Sequence, residues 1–273
     1  MATELVEITP RSWLELMEVL FENSWRTDLR RFRLPYVFRG LSDATYDLKP
    51  SIMRVGAHYR SVEPLLLSDF YQYARLDVPA GTSEWSWLTI AQHHGLPTRL
   101  LDWTYSPYVA LHFATNDVGT AGHECDGVVW CVNYRETNSL LPSKLADELK
   151  ALRKGVFTVE TLARVAPDLR ALDELQSEEF VLFIEPPSLD ARIVNQVALF
   201  SVISHPASTD GSWPTGRIDE VLRRAQANRV DGGEAYLRKV IIRAALKWEI
   251  RDKLDQVNIT ERVLFPGLDG LSA

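Results

Sequence analysis

The chain reads as an α+β protein, on two observations. Segments of helical period 3.6 and short β-branched or aromatic segments alternate along it, and they do so without the regular strand–helix–strand repeat that marks a doubly wound sheet. Its 273 residues, 46% hydrophobic and 25% charged, match an ordinary globular composition. At this length a fold buries close to ~75% of its unfolded surface, so a substantial core is available. The division expected is an N-terminal helical lead, residues 1–34, followed by one domain over 35–273.

Taken in order, Thr9-Pro10 has the form of an N-cap followed by proline at the first helical position. Trp13, Leu16, Met17, Leu20 and Phe21 then recur at helical spacing. Tyr36 to Gly40 is aromatic and β-branched, closed by glycine, and predicts a strand. Glu63 to Leu76 returns to helical period through Leu66, Phe70 and Tyr73. Ser83 caps a further helix that carries Trp87, Leu88 and Ala91 and stops at Gly95. Thr98 to Thr104 follows a proline and predicts a strand, with Thr98, Leu100, Asp102 and Thr104 on one face and Arg99, Leu101 and Trp103 on the other. Ser106-Pro107 opens the next helix. Strands are expected at Gly127–Asn133, Phe180–Glu185 and Ala198–Ser204, with loops at 115–126 and 205–216. A basic helix, a strand around Tyr236–Ile242 and a helix from Ala244 to Val257 complete the pattern.

Charge and motif content exclude several function classes. The formal net charge is −7 and the isoelectric point about 5.5, which argues against a broad nucleic-acid footprint. Two arginine clusters, Arg26/Arg30/Arg31/Arg33 and Arg217/Arg223/Arg224/Arg229, are expected on solvated helix faces. No run approaches the ~18 apolar residues of a membrane helix. Cys125 and Cys131 lack zinc-type spacing and read as free thiols, and the acidic N-terminus lacks the form of a signal peptide, so a cytoplasmic setting is expected. No P-loop, GxGxxG, HExxH or GxSxG motif occurs. A metal would have to draw on His93, His94, Asp102 and His112; adjacent helical histidines point about 100° apart, and no metal is expected.

Chemistry concentrates in Gln92-His93-His94-Gly95-Leu96-Pro97-Thr98-Arg99-Leu100-Leu101-Asp102-Trp103 and in Phe38-Arg39-Gly40. An arginine inside an apolar strand must hold its guanidinium against a carboxylate, a carbonyl or a ligand phosphate, and Arg99 invites the same choice. Gly40 would let a ligand or another backbone approach closely. Asp102 is expected to orient Arg39 or Arg99 rather than act as a base. A carboxylate pair of Asp102 with Glu185 has no spacing to support it.

These residues resemble the FRG domain, a bacterial and phage-associated family named for its Phe-Arg-Gly signature. The likeness continues through Ala110-Leu111-His112-Phe113-Ala114, Arg192-Ile193 with Gln196 and Phe200, and Leu264-Phe265-Pro266-Gly267-Leu268-Asp269-Gly270-Leu271. A more distant likeness is to ADP-ribosyltransferases, which implies a mixed or antiparallel split central sheet flanked by helices and a cleft for NAD or a related nucleotide. On that likeness Arg39 and Gln196 stand at catalytic positions, and Arg39, Gly40, Thr104, Tyr105, Ser106, His94, Arg99 and Asp102 bind the nucleotide. The reaction implied is ADP-ribosyl transfer, to a protein acceptor, or NAD hydrolysis, in a setting of phage defence or toxin action. Gln196 stands where those enzymes carry glutamate, which favours an alternative, a non-catalytic module that binds a nucleotide or a partner. A third reading is a nucleic-acid-acting toxin or sensor that uses the Arg217–Arg243 segment.

Overall fold

The computed structural model describes residues 5–74, 76, 78, 81–116, 125–187, 191–206, 216–228 and 235–267. Its strands are β1 (Val6–Ile8), β2 (Trp25–Arg26), β3 (Arg31–Phe32), β4 (Tyr36–Leu41), β5 (Leu100–Thr104), β6 (Gly127–Asn133), β7 (Phe157–Thr158), β8 (Val181–Glu185), β9 (Ala198–Ile203) and β10 (Leu237–Ile242). The α-helices are α1 (Trp13–Leu20), α2 (Tyr59–Ala74), α3 (Glu84–His93), α4 (Pro107–Ala114), α5 (Tyr134–Thr137), α6 (Ser143–Leu152), α7 (Val159–Val165), α8 (Leu169–Asp173), α9 (Ala191–Asn195), α10 (Ile218–Ala227), α11 (Ala244–Gln256) and α12 (Glu261–Leu264). Eight strands form one mixed sheet in the order β1-β10-β6-β4-β5-β9-β8-β7. The two end pairs, β1 with β10 and β7 with β8, are parallel, and the inner pairs are antiparallel. The fold is therefore α+β, with helices on both faces of a large mixed sheet.

Strand alternation sorts the core. One face carries a continuous apolar layer across both halves of the sheet, through Val37, Trp130, Trp103, Leu199 and Phe183, under α10 and the chain around Leu48 and Ile52. The opposite face carries two separate layers. Tyr36, Phe38, Val129 and Val240 pack under α1, α4 and α11, while Leu100, Phe200, Val202 and Leu182 pack under α3, α6 and α7. Between those two layers the sheet is thinly joined. β4 and β5 share one register pair, Phe38 with Thr104.

Several local expectations hold. Ser83 caps α3, its side chain accepting from Ser86 N, and Gly95 follows the helix at φ 82°. Ser106 caps α4, with Pro107 at its first turn. Others need correction. The cap of α1 is Ser12, which accepts from Glu15 N, so the helix starts later than Thr9-Pro10 implied. The N-terminal lead also supplies β1, an edge strand paired with β10, and buries Leu16 and Leu20 against Tyr36 and Phe38. The first arginine cluster lies on and around the β2–β3 hairpin rather than a helix face. Arg229 and parts of the two expected loops, 117–124 and 207–215, lie outside the described residues.

Candidate functional site

The gap between β4 and β5 organises the site. Past Phe38 and Thr104 the two strands part. Arg39, Gly40 and Leu41 pair only with β6, and Leu100 to Asp102 pair only with β9. The Asp102 carbonyl therefore lacks a strand partner from β4, and Arg39 supplies one, its Nη1 donating to that oxygen at 2.6 Å. The same nitrogen lies 3.7 Å from the Asp102 carboxylate. Arg39 Nε is buried and has no partner. Burial pulls the Arg39 pKa below the usual arginine value, Asp102 working against the shift and Arg54 with it.

A cavity of about 450 Å³ opens at this gap, in the break between the two apolar layers. Of the expected site residues, Arg39, Gly40, Asp102, Thr104 and Gln196 line it. Gly40 owes its identity to the helix above it. A Cβ there would stand 1.8 Å from the Ala110 carbonyl oxygen, so glycine is what lets α4 lie against β4. The close approach is thus that of a backbone, not of a ligand.

Asp102 is held by Gln92, whose amide donates to its carboxylate at 3.0 Å while its oxygen accepts from the Thr98 hydroxyl at 2.6 Å. The Asp102 side chain is 57% exposed, so its contact with Arg39 is a solvated one rather than a buried ion pair. Thr104 and Ser106 are engaged within the fold. The Thr104 hydroxyl donates to the Gln196 carbonyl at 2.7 Å and accepts from Ser106 N at 3.0 Å, and Ser106 Oγ caps α4. The Gln196 amide donates to the Leu264 carbonyl at 3.1 Å.

Four expected residues do not line the cavity: Ser106, which caps α4, and Arg99, Tyr105 and His94. Arg99 is buried away from the cleft, its guanidinium forked between Glu63 and Asp173 at 2.5–3.1 Å. Burial opposes its charge, but the two carboxylates more than offset this and raise its pKa. Tyr105 donates to Glu185 at 2.9 Å and packs against the continuous layer on the other face of the sheet. Glu185 is therefore no partner of Asp102. Burial, with Glu185 beside it, raises the Tyr105 pKa. His94 packs near Phe70, and it is His93 that lines the cleft. His112 is buried under α11 and α12, with Glu261 at 2.7 Å and Arg251 at 3.1 Å. Among the described residues no group of three or more His, Cys, Asp or Glu side chains is placed to hold a metal ion.

Arg192 completes the cleft from α9. Its guanidinium lies 4.8 Å from the Phe265 ring centroid, and Phe265 stands edge-on to Phe113 at 6.0 Å. Among the described residues Arg192 forms no ion pair, and it brings positive charge to the cavity that Arg39 also lines. With Asn195 donating to the Val263 carbonyl, the 263–265 segment is docked against α9; residues 268–271 of the closing motif lie outside the described residues. Arg192 and Phe265 were visible in the quoted motifs, but their spacing gave no sign that they meet at Phe113. In the basic segment beyond residue 216, by contrast, four of the described arginines are paired with carboxylates. Arg217 and Arg223 share Asp219, Arg224 meets Glu179, and Arg238 meets Glu22. No helix among the described residues is long and apolar enough to cross a membrane.

Cys131 is buried, and burial pushes its thiol up to about 12. It stays protonated at neutral pH and offers no nucleophile. Comparison with known proteins gives no match among curated proteins and none among solved structures. It does identify a segment that takes in β4, α3, β5 and α4 and contains Arg39, Gly40, Gln92, His93, Asp102 and Phe113. The motifs around Arg192 and Phe265 lie beyond that match. Residues 34–121 of this chain match the model of the FRG domain family.

Proposed function

We propose that the cleft between β4 and β5 is a nucleotide-binding site, with NAD or a related dinucleotide as its ligand. The observation that carries this reading is the pair of arginines, Arg39 and Arg192, that line one cavity. Arg39 has a buried Nε without a partner, and among the described residues Arg192 forms no ion pair. Charge-assisted forks of this kind suit a pyrophosphate. Phe113 and Tyr46 at the same cavity provide apolar and aromatic surface for a ring, and Asn116 provides an amide. The parted central strands, with an arginine at the parting, also accord with the ADP-ribosyltransferase likeness.

Binding is favoured over efficient cleavage. The Thr104 and Ser106 hydroxyls, which that likeness assigns to the ribose, are engaged within the fold. Gln196 is neutral and its amide holds the Leu264 carbonyl. It supplies no charge to a developing oxocarbenium ion, a contribution that acts only in the transition state. A calorimetric titration with NAD, ADP-ribose and NADP tests the reading. Saturable binding of one of them by the wild type is expected. Loss of a charge-assisted contact costs about 1.5–3 kcal/mol, so Arg192→Ala should weaken binding tenfold or more with the melting temperature little changed. Absence of binding by all three nucleotides would refute it.

A further inference from the structure

A second cavity, of about 570 Å³, lies outside the cleft, between α2, α3 and α8. Two of its side chains, those of His205 and Tyr71, bury polar atoms that have no hydrogen-bond partner. His205 is 3% exposed, and neither ring nitrogen has a hydrogen-bond partner. The Tyr71 hydroxyl is buried and equally unpartnered. A buried polar group left unsatisfied costs about 1–3 kcal/mol. A fold that places two of them at one cavity has a use for them, or for what fills the space.

The charges around the cavity indicate the sign of that occupant. Five carboxylates and three guanidiniums line it. Arg99 is held by Glu63 and Asp173, Arg170 by Glu174, and Arg60 donates to the His205 and Pro206 carbonyls. Two carboxylates remain outside these ion pairs. Glu84 accepts from Leu169 N, Asp168 accepts from Ala171 N, and among the described residues neither forms an ion pair. Burial raises the Glu84 pKa, and the neighbouring Asp168 charge adds to the shift. Tyr71 stands close enough to Glu84 to feel its charge. An ammonium has three donors and no acceptor, and this end of the cavity offers carboxylate and phenol oxygens. Burial, with Arg99 and Arg60 nearby, keeps His205 neutral, so that its ring presents one donor and one acceptor to an uncharged polar group.

We propose that this second cavity binds a small organic ammonium bearing a second, uncharged polar group, with the ammonium at Glu84, Asp168 and Tyr71 and the polar group at His205. The site is independent of the cleft and shares none of its lining residues.

The test is isothermal titration of the full chain with 4-aminobutan-1-ol, using butane-1,4-diol and butyrate as neutral and anionic counterparts. The amino alcohol should bind saturably, and both counterparts at least tenfold more weakly. Glu84→Gln keeps an acceptor for Leu169 N and should weaken the amine at least tenfold. Tyr71→Phe removes only the hydroxyl and should weaken it several-fold, and it decides the matter if Glu84→Gln fails to fold. The proposal is overturned if the amino alcohol does not bind, if butyrate binds as well as the amine, or if both folded variants bind the amine as the wild type does.

Discussion

Replacing Arg99 by methionine keeps a long side chain and removes the fork. Glu63, whose side chain is 2% exposed, then loses every partner that Arg99 Nε and Nη2 supply, and Asp173 loses both bonds to Nη1. Breaking a buried ion pair by removing one member costs about 3–5 kcal/mol, because the remaining charge stays buried. That is roughly two to nearly four powers of ten in the folding equilibrium. Urea unfolding followed by tryptophan fluorescence gives the loss directly as a fall in midpoint at constant slope. The pH dependence identifies the cause. Burial already raises the Asp173 pKa while Arg99 holds it down, so removing Arg99 raises it further. The protonated form of Asp173 is then favoured in the folded state, and this contribution is largest below the ordinary carboxylate range and is lost as pH rises. The gap between wild type and Arg99→Met should therefore narrow from pH 7 to pH 5. A loss below about 1 kcal/mol, or a gap equal at both pH values, would refute the account of this cluster as a buried, mutually dependent triad.

Gly40→Ala should lower the melting temperature strongly, since the added carbon meets the Ala110 carbonyl at 1.8 Å and overpacking costs about 1–3 kcal/mol or more; an unchanged melting temperature would show that α4 can lift off β4 freely. Asp102→Asn should cost little, because the 2.6 Å bond to Arg39 is made by the backbone carbonyl, and a loss of several kcal/mol on unfolding would contradict this. Gln196→Glu sets a carboxylate against the Leu264 carbonyl and should lower the melting temperature while raising nicotinamide release from NAD above the wild type's slow or absent rate; a tenfold rise needs only about 1.4 kcal/mol. Vigorous wild-type release that Gln196→Glu abolishes would assign the working role to glutamine instead. Burial, then Arg99 and Arg60, hold the His205 pKa well below 6.5, so its contribution is present above the unfolded value and lost as pH falls. His205→Phe should then flatten the decline in melting temperature between pH 7 and pH 5, and an unaltered slope would count against that placement.

What the sequence disclosed follows from what is local. Ser83 and Ser106 announced α3 and α4 because a cap and its first turn are a few residues apart, and the alternation of Leu100 to Thr104 placed Leu101 and Trp103 on the face opposite Leu100. β1 escaped notice because Val6-Glu7-Ile8 is short and mostly exposed, and its partner lies at Arg238–Val240. In the site, Arg39 was legible as an arginine among apolar neighbours. The choice between Arg39 and Arg99 as the cleft residue was not, since it depends on Glu63 and Asp173, distant in sequence from one another. Likewise His93 rather than His94 faces the cleft because of where α3 ends, a matter of helix phase that the adjacent pair leaves open.

The thin seam between β4 and β5 bears on what the FRG segment can be when taken by itself. Among the described residues, 34–121 hold only these two strands of the large sheet, and they share a single register pair. Their full-length partners, β6 and β9, begin at Gly127 and Ala198. Excised, the segment would expose four strand edges where the intact chain leaves a narrow gap, and open edges of that kind invite aggregation. The matched stretch is thus a signature carried across one wall and the floor of a cleft, not an autonomous folding unit. A fragment or fusion that ends near residue 121 would carry the motif without the scaffold that gives its arginine a place to point.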